Sequence, residues 1–324
     1  MLNISQIKLL ESKNIFKYLK ETSPEWYKNW ETIANSYEKT INRGPYFTNI
    51  AFAPHDFENH CMDIYKIIDS LIQTDKLGKV INVEEVFVLL VAVILHDIIM
   101  AYNPDEREVH SEKAKQYVIE QVYSKNDSIL KNCLTRNQAQ AVGWIILGHS
   151  DLKKEEKIDT LAILPGKGSQ PEGTQGEINV RTLAAILRLA DELDVTNMRV
   201  NGIAIEKYKI NEESEIFWNQ CNLFKAVRPY FGLTTVIKLD VDEIAYENSG
   251  DNIKNIKCIR NVKNKIQDEL NNVNRILTEP GYYDGWTLSK VEVNATQEIL
   301  DLLNEYENKD PFEDDDIIEE KKKF

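Results

Sequence analysis

The chain has 324 residues, of which 42% are hydrophobic, and a formal net charge of −14. It is long enough to bury a large core, too polar for a membrane protein and too apolar for a disordered one. A negative field repels nucleic acid at long range, which counts against a general nuclease.

The N-terminus, MLNISQIKLLESKNIF, lacks a basic start followed by an apolar stretch, so no signal peptide is expected. Cys61, Cys133, Cys221 and Cys258 are scattered with no CxxC pair, which excludes a zinc knuckle and fits a reducing cytoplasm.

Helix signals fill the first two-thirds. Residues 24–43 form an amphipathic pattern starting at Ser23 or Pro24. A second helix is expected from about His55 to Ile72, with His60 on the same face as Ile64, Ile67 and Ile68. The third opens at Asn82, with Glu85 three residues on in capping-box spacing. Its run VFVLLVAVIL is apolar all round, so it is central, and at about half a membrane span it is too short to cross a bilayer. His96 and Asp97 follow directly and need polar partners at that depth.

Residues 108–124 read as a helix with His110 near its start. Thr135 and Gln138 form another capping box, opening a helix that ends near His149 on the face of Val142, Ile145 and Ile146. Residues 152–178 break the pattern and are expected to be an insert loop, either a lid or disordered. The GKGS within them lacks the spacing and leading strand of a phosphate-binding loop. Asn179 is read as the cap of VRTLAAILRLADELDV, where Arg188, Asp191 and Asp194 share the side of Ala184 and Leu187. After about residue 199, NGIAIEKYKI and TTVIKLDVDEIAYE alternate like strands and are expected to pair as a small antiparallel ribbon. Residues 253–279 read as a long polar helix and 294–306 as a shorter one; the tail PFEDDDIIEEKKKF reads as a solvated disordered end.

The five histidines are the informative residues: His55, His60, His96, His110 and His149. One inward histidine is more often a hydrogen-bonded core residue than a ligand. Four of them on separate helices, together with Asp97 and Asp191, are better satisfied by one shared polar centre. Imidazole and carboxylate suit Mn, Fe, Co, Ni or Zn, and carboxylates also accept Mg. The lack of cysteine ligands points to a catalytic rather than a structural ion.

The stretches FENHCMDIYKII, LLVAVILHDIIM and LAAILRLADELDVT, in that order, resemble the ligand helices of the HD superfamily of metal-dependent phosphohydrolases. VHSEKAKQYV and AVGWIILGHSD resemble the extra histidine positions of its binuclear members, and PYFTNIAFAPHDFENH resembles the HD-CE branch. The resemblance covers roughly residues 45–200. It implies an all-α core, and with the ribbon and C-terminal helices read above the expected fold is mainly α: an HD-domain helical bundle with a small antiparallel β-ribbon and C-terminal helices. The expected organisation is an N-terminal helical extension over 1–44, a metal-binding core over 45–199, ribbon and C-terminal helices over 200–310, and an acidic tail over 311–324.

The resemblance also implies one or two divalent ions, with His60, His96, Asp97 and Asp191 as metal ligands. His110 and His149 would complete a second site or act as acid–base groups, and Arg188 would contact substrate phosphate or form a salt bridge to Asp191 or Glu192. Arg107, Asp194 and His55 are weaker candidates. The implied activity is hydrolysis of a phosphate ester by metal-activated water, on a nucleotide or nucleotide second messenger. A deoxynucleotide triphosphohydrolase, an HD nuclease and a non-catalytic nucleotide- or partner-binding module are the alternatives, with a plain helical adaptor behind them. Partners implied by the HD-CE resemblance are an Hsp90-like ATPase or a bacterial defence or stress system, and no membrane. The oligomeric state stays open, and the amphipathic C-terminal helix favours a homodimer. One departure stands out: the family has glycine two residues after the HD aspartate, and this chain has Ile99.

Overall fold

A computed structural model describes residues 9–42, 57–150, 159–165, 178–199, 212–231, 235–279, 283 and 285–308. His55, the strand-like 201–210 and the acidic tail lie outside the described residues, as does the side chain of Arg107.

The chain begins with α1 (Asn14–Thr22) and α2 (Pro24–Asn42), the second as its periodicity predicts. A wide π-type turn, Phe57–Cys61, leads into α3 (Met62–Leu71), so His60 sits in the π turn rather than in a regular helix. Such turns are common where a side chain must be re-aimed toward a site. Helix α4 (Val83–Leu95) is buried along its length from Glu85 onward. It is followed by α5 (Ile98–Tyr102), α6 (His110–Tyr123), α7 (Ile129–Cys133) and α8 (Arg136–Gly148). Both expected capping boxes form, Asn82 with Glu85 and Thr135 with Gln138.

The expected insert loop is helical in part: α9 (Thr160–Ile163) buries Thr160 and Leu161, and the Thr160 hydroxyl donates to the Ser150 carbonyl at 2.6 Å. An apolar residue among the polar ones of 152–178, Leu161, pulls this turn into the core. Helix α10 (Val180–Glu192) packs on α3, α8 and α9.

Then come α11 (Glu212–Asn222), β1 (Phe224–Phe231), β2 (Thr235–Val241), α12 (Glu243–Asn248), α13 (Asn252–Leu277), β3 (Lys290–Asn294) and α14 (Gln297–Glu307). The ribbon differs from expectation. β2 pairs antiparallel with β1, whose sequence FKAVRPYF hides its alternation behind Pro229, and parallel with β3 on its other side. Helix α13 is amphipathic rather than simply polar: Ile256, Ile259, Val262, Ile266, Leu270 and Val273 form its buried stripe, and it packs along α10. Among the described residues, no helix is long and apolar enough to cross a membrane.

Two contacts set how the helices meet. Asn179 makes no side-chain cap; its backbone N–H donates instead to Glu85 Oε1 at 2.8 Å, while Glu85 Oε2 accepts from the Asn82 N–H at 2.9 Å. Buried Glu85 thus ties the start of α4 to the start of α10. At the other end, α8 closes on α10 at Gly148. A Cβ there would stand 2.6 Å from the Ala184 Cβ, closer than two carbons can sit, so only glycine permits this approach. A buried relay links the opposite side of α4: Trp30 Nε1 donates to the Tyr65 hydroxyl at 3.1 Å, which donates to the Leu90 carbonyl at 2.9 Å.

Replacing Glu85 by Ala removes the shared acceptor of the part-buried Asn82 and Asn179 N–H groups, one at each helix start. Denaturant unfolding of Glu85→Ala should show a loss of about 2–4 kcal/mol. Exposed Glu112→Ala should stay within about 0.5 kcal/mol of wild type; equal effects would show that the clamp contributes nothing.

Candidate functional site

The ends of α4, α8 and α10, the π turn before α3 and the start of α6 meet at one point. His60 Nε2 lies 3.1 Å from His96 Nε2 and 3.4 Å from Asp191 Oδ1. His96 Nε2 lies 3.3 Å from Asp97 Oδ2 and 3.9 Å from Asp191 Oδ1, and His60 Nε2 is 3.8 Å from Asp97 Oδ2. Donor atoms sharing one ion at about 2.1 Å stand roughly 3–3.5 Å apart. The His60–His96 and His96–Asp97 separations match that spacing, while His60–Asp97 and His96–Asp191 are a few tenths of an ångström wider.

A second group abuts the first. His110 Nε2 and His149 Nε2 are 3.0 Å apart, and both face the other oxygen of Asp97, at 3.3 and 3.7 Å from Oδ1. His60, His96 and Asp97 form one set able to hold a metal ion, and Asp97, His110 and His149 another. Asp97 is common to both and turns one oxygen to each.

The rings are aimed from behind. His96 Nδ1 donates to the Val93 carbonyl at 2.8 Å and His149 Nδ1 to the Ile146 carbonyl at 2.5 Å. Each bond is made three residues back, to a carbonyl that the helix end leaves available. His60 Nδ1 donates to Asp194 Oδ2 at 2.6 Å. With Nδ1 carrying the proton, the Nε2 lone pairs converge on the shared centre, which is the tautomer a metal ligand needs. Asp194 is buried and held in turn by Arg199, which donates to the Asp194 carbonyl at 2.8 Å and pairs with its carboxylate at 3.6 Å.

The electrostatics also call for a cation. Burial alone would depress His96, but Asp97 and Asp191 carry it up to about 9. Burial would raise Asp191, yet His60 and His96 hold it at about 2. Without a metal, the cluster takes up a proton in its place.

A pocket of about 290 Å³ opens over the cluster, lined by Asp97, His110, His149 and Asp191 on one side and by Arg188, Glu192, Lys265 and Glu269 on the other. Arg188 is buried, with Nη1 3.1 Å from Asp159 and Nε 2.6 Å from Glu269. The partners expected for it, Asp191 and Glu192, are replaced by residues from the 152–178 stretch and from α13. Ile99 lies in the first turn of α5, where ordinary helical backbone asks for no glycine; it packs on the core, and Met100 rather than Ile99 lines the pocket.

The structure brings together His60, His96, Asp97, Asp191, His110, His149 and Arg188. Sequence reading undervalued Asp194 and missed Lys265, Glu269 and Asp159. The ADELD spacing marks Asp194, one turn beyond Asp191, as a second inward carboxylate. Nothing local marks the other three: tertiary packing alone brings Lys265 and Glu269 to the pocket and Asp159 to the Arg188 guanidinium.

Fold and site define a helical domain in which an adjacent His-Asp pair at the end of a buried helix anchors a cluster of histidines and aspartates able to hold a metal ion. The HD-CE family matches residues 45–272, more than half of the chain, and the protein belongs to that family. No curated protein is similar enough to the chain to match it.

Asp194→Asn keeps an acceptor near His60 but removes the charge behind it. Calorimetric titration with Mn²⁺ should show affinity about 10–100-fold weaker, with helix content by circular dichroism unchanged; undiminished affinity would reduce Asp194 to a packing residue. Because a cation must displace the proton that His96 holds up to about 9, affinity should climb by roughly tenfold per pH unit from pH 7 toward 9 and then level. A flat profile over that range would contradict the proton count.

Proposed function

We propose that the chain is a metal-dependent phosphohydrolase acting on a nucleotide or nucleotide second messenger. The observation that carries this reading is Asp97, one oxygen toward His60 and His96 and the other toward His110 and His149, at the floor of an open pocket. His60, His96, Asp97 and Asp191 would hold one divalent ion. The imidazole-rich set suits Mn, Fe, Co, Ni or Zn better than Mg. When bound, such an ion polarises a phosphoryl oxygen and activates water.

The chain's own groups divide the remaining work. Asp194 fixes the His60 ring, and the Val93 and Ile146 carbonyls fix His96 and His149, so the donors are organised before any ligand arrives. His110 and His149 either complete a second ion site with Asp97 Oδ1 or move protons at Nε2. His110 is the more accessible of the two, with 15% of its side chain exposed against 2% for His149. It is thus better placed to protonate a leaving oxygen. Arg188 serves the pocket wall: with Asp159 and Glu269 already on its guanidinium, it shapes the site rather than offering a free phosphate ligand.

Small phosphate esters suit this pocket better than a nucleic-acid duplex, given its size and the net charge of −14. Ile99, the feature that favoured a non-catalytic module, lies in a short helix and is not among the residues that line the pocket, which supports the catalytic reading.

The decisive assay is a panel of ribo- and deoxynucleoside triphosphates, cyclic mono- and dinucleotides and short DNA, each with Mn²⁺ or Mg²⁺. Wild type should turn over at least one class, and Asp97→Ala none. Activity retained in Asp97→Ala would refute the assignment. A folded, metal-binding wild type inert on the whole panel would convert the reading to a nucleotide-binding module.

A further inference from the structure

The far wall of the pocket comes from α13, well beyond the ligand helices in sequence, and it carries an asymmetry. Two cations line the pocket, Arg188 and Lys265, beside the four carboxylates Asp97, Asp191, Glu192 and Glu269. Arg188 is buried between two carboxylates, Asp159 and Glu269, and has little left to offer a ligand. Lys265 is different. It pairs with Glu192 at 2.8 Å, but 67% of its side chain is exposed, and it stands one helical turn before Glu269 on the same face of α13.

Only the Lys265 end of this pair is exposed, Glu192 having 18% of its side chain exposed, so the ammonium is free to swing toward a ligand anion at the cost of leaving a part-buried carboxylate without its ion-pair partner. The Lys265 ammonium sits against Glu192 and lines the same pocket as Asp97 and Asp191. A phosphate ester held at the cluster would therefore have a cation beside it within the pocket. The ammonium is a mobile point charge on a long stem, suited to a phosphate chain rather than to planar recognition.

We propose that Lys265 is a specificity-determining residue that leaves Glu192 to bind a second, non-reacting phosphate, so that the pocket selects ligands bearing a phosphate chain over monophosphates. The inference rests on the phosphohydrolase reading for what the pocket holds, but its test reads binding and so separates the two. A pocket of about 290 Å³ takes the chain and leaves the rest of a nucleotide at the mouth.

The experiment measures binding of inorganic phosphate, diphosphate and triphosphate to the full chain loaded with Mn²⁺, by competition calorimetry. Wild type should prefer triphosphate to phosphate by about tenfold or more. Lys265→Met, which keeps the stem, should weaken triphosphate about 10–100-fold and phosphate by less than about twofold. Lys265→Arg should restore most of the preference, and Glu192→Gln, which removes the competing carboxylate, should tighten triphosphate. Unchanged triphosphate binding in Lys265→Met, an equal loss for phosphate and triphosphate, or no preference in wild type would each overturn the assignment. Chain-selective binding that depends on Lys265, in a wild type that hydrolyses nothing, would sink the hydrolase reading and leave this one standing. Hydrolysis of triphosphates with a KM unmoved by Lys265→Met would do the reverse.

Discussion

The structure depends on the demand of converging imidazole nitrogens for positive charge. His60 and His96 bring Nε2 atoms within 3.1 Å, and His110 and His149 within 3.0 Å, with Asp97 between the pairs. In an apolar interior such lone pairs would be expensive neighbours unless something positive sits among them. Every surrounding element serves that demand. Helix ends supply the carbonyls that hold the proton on Nδ1, the π turn re-aims His60, and Asp194 with Arg199 backs it. The long apolar body of α4 gives the cluster a rigid mount: eleven buried residues, Glu85 to Leu95, lead directly to the His-Asp pair.

The C-terminal half completes this centre. Helix α13 lies along α10, its apolar stripe inward, so that Lys265 and Glu269 reach the pocket while Ile266 and Leu270 fill the core beneath. The family match, running to residue 272, extends across most of that helix. The sheet sits to one side, with β1 against α3 and β3 against α13, and buttresses the helices that carry site residues.

What could be read from the sequence follows the range of the interactions. Capping at Asn82 and Thr135 is decided within four residues, and both caps form as read. The inward faces of His60 and His149 follow from neighbours one turn away, Ile64 and Ile146. Asp97 and Asp191 are the polar interruptions of apolar faces, visible in the same way. Pairings across long separations were not visible. Of the neighbours of β2, β3 lies some fifty residues on; β1 is close in sequence and was hidden by Pro229 rather than by distance. Asn179 looked like a cap because its type favours that role, but Glu85, far away in sequence, claims its N–H instead. Arg188 likewise had two acids close by in sequence and took two distant ones.

The Glu85 clamp has a consequence for how this architecture can vary. It pins α4 and α10 together at their starts, and His96 and Asp191 must meet at their far ends. Each residue along a helix adds about 1.5 Å and 100° of rotation. Inserting or deleting a residue in one helix alone would carry its ligand out of reach and around to another face, while the clamp held the starts in place. The stretches 86–95 and 180–190 therefore behave as two matched rulers. The same geometry confines any tolerated change of length to the connection between Leu95 and Val180 and keeps it out of the two helices. Drift inside either helix is then restricted to substitution, so that the spacing of His96 and Asp191 is held as a fixed length.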